Sequence, residues 1–143
     1  MSGTAWSHCE RPGRKPDKET GMSTIKQAVD DLLDPQLSVQ ASIDRHFVPA
    51  FRQRVNGSWI DRATFLDSIV GLRAALDHAT VTVLDELVTG AHYAERHRIE
   101  LFMRDGSLAC QEVYVFAQRD ADGRFVCIEE ATIAIKACGR GHG

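Results

Sequence analysis

Between Leu76 and Val81 the apolar period changes from that of a helix to that of a strand, and this switch restricts the fold more than any other feature. Before it lie three helical stretches. Ile25, Val29, Leu32 and Leu33 recur at helical spacing, and Thr24 and Gln27 have capping-box spacing ahead of them. Pro35 ends that run. A second helix is expected over about 38–48, with Val39, Ile43, Phe47 and His46 on its inner side and Pro49 as its stop. "FRQRVNGSW" reads as a short extended link with an Asn56-Gly57 turn. Asp61 then caps a third helix with an apolar stripe of Phe65, Ile69, Leu72 and Leu76.

After the switch four strands follow. Gly90 breaks the first two apart, Asp105-Gly106 is a strong hairpin signal, and "DADG" turns the chain again. Helices first and a meander afterwards make an α+β plan: about four main antiparallel strands in a curved sheet packed on three N-terminal helices. Residues 1–22 lack periodicity and are expected to be a disordered extension, and residues 137–143 a flexible tail.

The totals narrow the function classes. With 143 residues the chain can bury one sizeable core. A net charge of −3, with mixed signs along the chain, speaks against a nucleic-acid partner. No apolar run is long enough to cross a membrane, and no apolar h-region marks a signal peptide, so a cytoplasmic protein is expected. Cys9, Cys110, Cys127 and Cys138 form no C-x-x-C pair and are read as reduced thiols. Phosphate-loop, dinucleotide and nucleophile-elbow motifs are missing, so no cofactor is expected. His97, Glu112 and Glu130 match no known metal spacing, and no metal is expected.

From about residue 24 to 135 the chain resembles the SnoaL-like branch of the nuclear transport factor 2-like superfamily. The residues that carry the likeness are "IDRHFVPAFRQRVNG", "DRATFLDSIVGLRAAL", "VTVLDELVTGAHYAERH", "DGSLACQEVYVF" and "DGRFVCIEEAT". The resemblance implies a cone-shaped domain over 23–136, with a pocket at its open end and a homodimer formed through the outer sheet face. Members include polyketide cyclases, isomerases, dehydratases and epoxide hydrolases, and also non-catalytic binding or assembly domains, so the fold alone selects no activity.

Strand pairing suggests which polar groups meet. If Asp105-Gly106 is a two-residue loop, Arg104 pairs with Ser107 and His97 stands opposite Tyr114. One face then collects Tyr93, Glu95, His97, Glu112, Tyr114 and Phe116. A three-residue loop at Ala121-Asp122-Gly123 adds Glu130 to that row, whereas a four-residue loop adds Glu129 instead. The bulged version is preferred. The row suggests His97 and Glu130 as proton-transfer groups, Tyr114 as an oxygen-polarising donor and Glu112 as an assistant. Glu95, His46, Phe47, Trp59, Tyr93 and Phe116 are candidate pocket residues, with Glu95 at the rim. The function expected is cofactor-independent isomerisation, cyclisation or hydrolysis of a small, largely apolar molecule. The alternative is a ligand-binding or dimerisation module without turnover, so whether the chain is an enzyme stays open.

Overall fold

The computed structural model describes residues 22–136. The expectations for the first 21 residues and for 137–143 lie outside the described residues. Helix α1 spans Ile25–Leu32, and its capping box is formed: the Thr24 side chain accepts from Gln27 N, and the Gln27 side chain accepts from Thr24 N. Helix α2 spans Val39–His46 behind an Ser38 cap, and α3 spans Arg62–Ala75 behind Asp61. The strands are β1 (Phe47–Val55), β2 (Ser58–Asp61), β3 (Leu76–Thr89), β4 (His92–Met103), β5 (Leu108–Arg119) and β6 (Phe125–Ala134). They form one mixed sheet in the order β2-β1-β6-β5-β4-β3, with β1 parallel to β6 and all other neighbours antiparallel.

The α+β plan and the β3–β6 meander are as the sequence implies, but the sheet has six strands rather than four. The segment read as an extended link is the β1–β2 hairpin. Asn56 and Gly57 both take positive φ, 48° and 93°, as a tight two-residue turn requires. Pro49 does not obstruct β1, because it is exposed and lies in the register break between Phe47 and Arg52, where no ladder pairs form.

One apolar core lies between the inner sheet face and the helices. Phe47, Phe51 and Phe65 meet with ring centroids 4.6–5.2 Å apart, and Phe125 joins them on Phe47 and Tyr93. Buried Val113, Val115, Ala117 and Ile128 close the sheet side.

A second, polar staple ties the start of α1 to the body. Ser23 Oγ lies 2.7 Å from His46 Nδ1, and His46 Nε2 lies 2.7 Å from Asp31 Oδ2. Arg119 donates to the Ser23 carbonyl at 2.8 Å, and Tyr93 Oη accepts from Ile25 N at 3.1 Å while donating to Glu86. Burial and the Glu86 carboxylate push the Tyr93 phenol well above its ordinary range, so it stays a neutral donor. Ser23→Ala is expected to lower unfolding stability by about 1–3 kcal/mol, the cost of leaving a buried partner unpaired. Urea denaturation measures this, and an unchanged midpoint would contradict the staple.

Both long hairpins depart from the expected register by one residue. At the β4–β5 turn the loop has three residues: Met103 N donates to Ser107 O, and Gly106 at φ 92° closes the turn. Asp105 Oδ1 accepts from both the backbone and hydroxyl of Ser107, which favours this longer loop. His97 therefore faces Val113, not Tyr114. At the β5–β6 turn the expected three-residue loop forms, with Asp120 N donating to Arg124 O, but a bulge beyond Arg119 shifts the ladder again. Glu130 thus faces Val115.

The cysteines are also corrected. Cys127 is a free thiol and is not bridged to Cys110, which is itself disulfide-bonded. The expectation of four reduced thiols fails, because lack of a C-x-x-C pair argues against metal and redox motifs and says nothing of bridges between distant strands.

Candidate active site

The inner face of β4 carries Glu95 and His97 at alternate positions, both buried, with side chains 0 % and 5 % exposed. Glu95 Oε1 lies 2.7 Å from His97 Nδ1. With Glu95 as the acceptor, Nδ1 carries the hydrogen, and in that tautomer the lone pair lies on Nε2. Nε2 has no hydrogen-bond partner among the described residues. Glu95 Oε2 is buried without one as well. A buried oxygen left unpaired is costly, and such groups concentrate where a protein acts on something.

The ring borders a cavity of about 190 Å³ between the sheet and the helices. Leu32 and Leu33 at the end of α1, Phe65, Ile69 and Leu72 on α3, and Ile99, Val113 and Ile128 on the sheet make it apolar. Four polar side chains interrupt this wall: Gln53, His97, Gln111 and Glu130. Gln53 Nε2 donates to Glu130 Oε1 at 3.1 Å, an arrangement set by the parallel β1–β6 register. Burial raises the Glu130 pKa above the ordinary carboxylate value; the Gln53 bond and His97 oppose this, and Glu95 adds to it. His97 and Glu130 therefore border one small, largely apolar space.

Glu130 gives a stability prediction. Its pKa is raised in the folded state, so its contribution is most favourable below about 4.5 and is lost as pH rises through the folded value. Glu130→Gln is expected to raise the melting temperature at neutral pH, with the gain vanishing as pH falls toward 4.5. Thermal melts across that range decide it; a gain that persists at low pH would contradict the raised pKa.

The other candidate residues divide. Phe47 lines the cavity. Glu95 is not at the rim: it is fully enclosed and pairs with His97. Tyr114, Glu112 and Phe116 lie on the outer face, because the one-residue shift at Gly106 turns every β5 side chain over. Tyr114 is 37 % exposed and donates to Glu112 at 2.7 Å, and Phe116 is 72 % exposed. Tyr93 points inward but belongs to the network at the α1 start. His46 faces Ser23 and Asp31 rather than the cavity. Trp59 lies at the surface, with the Arg52 guanidinium 4.2 Å over its ring. Gln53 and Gln111 were missed. The alternation of "FRQRV" places Gln53 with Phe51 and Val55, which could have identified it once that segment was read as a strand.

No group of three or more His, Cys, Asp or Glu side chains among the described residues could hold a metal ion. No helix among them is long and apolar enough to cross a membrane.

No family profile and no curated protein matches the sequence. Solved structures do. A nuclear transport factor 2-like protein of unknown function from Exiguobacterium sp. 255-15 superposes with a TM-score of 0.59 at 18% identity, over 79% of this chain and 99% of the other. IdmH from Streptomyces antibioticus, described as a candidate polyketide cyclase, gives 0.56 at 18% identity, over 76% and 90%. A candidate SnoaL-like polyketide cyclase from Jannaschia sp. CCS1 gives 0.52 at 14%, over 75% and 83%. The chain shares the fold of these nuclear transport factor 2-like and SnoaL-like structures.

Proposed function

We propose that the chain is a cofactor-independent acid–base catalyst acting on a small, largely apolar molecule by isomerisation, cyclisation or hydrolysis. The observation that carries this reading is the buried Glu95–His97 pair, whose free ring nitrogen borders an apolar cavity that Glu130 shares. His97 Nε2 takes a proton. Glu95 fixes the ring orientation and stabilises the imidazolium that forms. Glu130, kept protonated by burial into a higher pH range than an ordinary glutamate, returns a proton to a developing alkoxide or enolate. The donor role expected of Tyr114 passes to Glu130, since the tyrosine is on the other face.

The test is to incubate the protein with small ketones, enones and epoxides in D₂O, following deuterium uptake and products by mass spectrometry. Protein-dependent uptake or conversion is expected for at least one. Should bound molecules come back unchanged throughout, the non-catalytic binding module is the correct reading.

The outer sheet face supports a homodimer. Phe116, Tyr114, Leu87 and Ile133 are large exposed apolar side chains, and isolated monomers rarely leave such groups together in water. Phe116→Glu is expected to convert a dimer to a monomer in sedimentation velocity. A species of unchanged mass would place the interface elsewhere.

A further inference from the structure

Among the four polar side chains that border the cavity, Gln111 differs from the others. His97 is held by Glu95, and Gln53 and Glu130 hold each other. The Gln111 carboxamide has no hydrogen-bond partner among the described residues, although its side chain is partly buried on the inner face of β5. It pairs with Ile99 across the ladder, one step along from the His97–Val113 pair, so it is the diagonal neighbour of His97. A partly buried amide with no protein partner, diagonal to the His97 ring at the same apolar cavity, can donate to an oxygen bound there.

The cavity size limits what carries that oxygen. A dry cavity of about 150 Å³ accommodates benzene, and drug-sized ligands occupy about 300–1,000 Å³. At about 190 Å³ this space fits one ring or a short branched chain, roughly seven to ten non-hydrogen atoms. A fused multi-ring skeleton exceeds this volume and would have to protrude from the cavity. The charge pattern limits it further. No lysine or arginine lines the cavity to pair with an anion. A cation would require Glu130 to ionise, which its burial opposes.

We propose that the cavity binds an uncharged, single-ring-sized carbonyl compound whose oxygen accepts a hydrogen bond from the Gln111 carboxamide while His97 faces the neighbouring C–H. This rests on the acid–base reading for its chemistry but not for its binding. In the step, Nε2 takes the proton from the carbon beside the carbonyl. The C–H electron pair becomes the C=C bond and the C=O π pair moves to oxygen, where the Gln111 N–H group holds the enolate. Return of the proton to carbon from the imidazolium regenerates the carbonyl.

The experiment titrates ¹⁵N-labelled full chain with cyclohexenone, decalone, cyclohexanecarboxylate, cyclohexylamine and methylcyclohexane. Cyclohexenone is expected to bind about tenfold or more tighter than decalone, the carboxylate or the amine. Gln111→Leu and Gln111→Met, both checked for a native spectrum, are expected to weaken cyclohexenone about fivefold to tenfold, the range for one lost neutral hydrogen bond, and to leave methylcyclohexane unchanged. Decalone binding as tightly as cyclohexenone overturns the size limit. Tighter binding of the amine or carboxylate overturns the neutral class. Equal loss for cyclohexenone and methylcyclohexane, or no loss for either, removes Gln111 from the site. Gln111-dependent binding of cyclohexenone without deuterium uptake would overturn the enolate step and leave the binding assignment intact. His97-dependent uptake into decalone alone would do the reverse.

Discussion

His97→Gln is expected to lower the rate of deuterium uptake or conversion by about 10²–10⁴-fold, the usual contribution of a positioned general base. Glutamine is the informative replacement because its amide N–H can still donate to Glu95. The buried carboxylate then keeps a partner, and the fold is expected to survive with a near-native melting temperature. His97→Ala would instead leave Glu95 wholly unpaired in an apolar surround, which costs about 1–3 kcal/mol or more and confounds activity with stability. Rate and melting temperature measured on the same glutamine variant separate the two roles. A rate that is unchanged, in a protein that still folds, removes His97 from the chemistry. A collapse of both would make the pair a structural device that fixes the β4 register.

Much of this arrangement was legible in the sequence. The caps at Thr24 and Asp61, and the alternation along "YAERHRIELF", depend on neighbours within a few residues, and local preference and tertiary packing agree there. The assignment of Glu95 and His97 to the inner face needed only the period of two. What failed needed the length of a turn. Asp105-Gly106 serves both a two-residue loop and a three-residue loop closed by Gly106, and one residue of difference exchanges Tyr114 and Phe116 for Val113 and Val115 in the core. The two β-branched residues pack against the helices, while the aromatics are left on the outer face. Glu130 reached the inner face in spite of this. The bulge past Arg119 adds a second one-residue shift, and two such shifts restore the parity of β6. Its expected neighbour was wrong and its face was right. Strand β1 was hidden by Pro49, whose neighbours give no local sign that the ladder is interrupted there. Gln53 was overlooked for the same reason.

Glu95→Gln is the variant in which activity and stability are expected to move apart. Two orientations of the new amide are possible, and both impair the base. With the amide N–H toward Nδ1, the ring must carry its hydrogen on Nε2 and presents no lone pair to the cavity. With the amide oxygen toward Nδ1, the tautomer is kept, but no negative charge stabilises the imidazolium once the proton arrives. A fall of about 10²–10⁴-fold is expected in either case, close to that of His97→Gln. The double variant should be scarcely worse than either single one, because groups that act as a unit lose their effect once. Stability should hold or rise. Glu95 is a fully buried carboxylate with one oxygen unpaired, and a neutral amide in its place leaves a smaller desolvation penalty. A further signature belongs to Glu130, whose pKa is held up in part by Glu95 and should move down when that charge is removed. Carbon-detected titration of labelled glutamate reads this directly. A variant that loses stability and activity together, with the Glu130 titration unmoved, would show that Glu95 supports the fold and does not position the base.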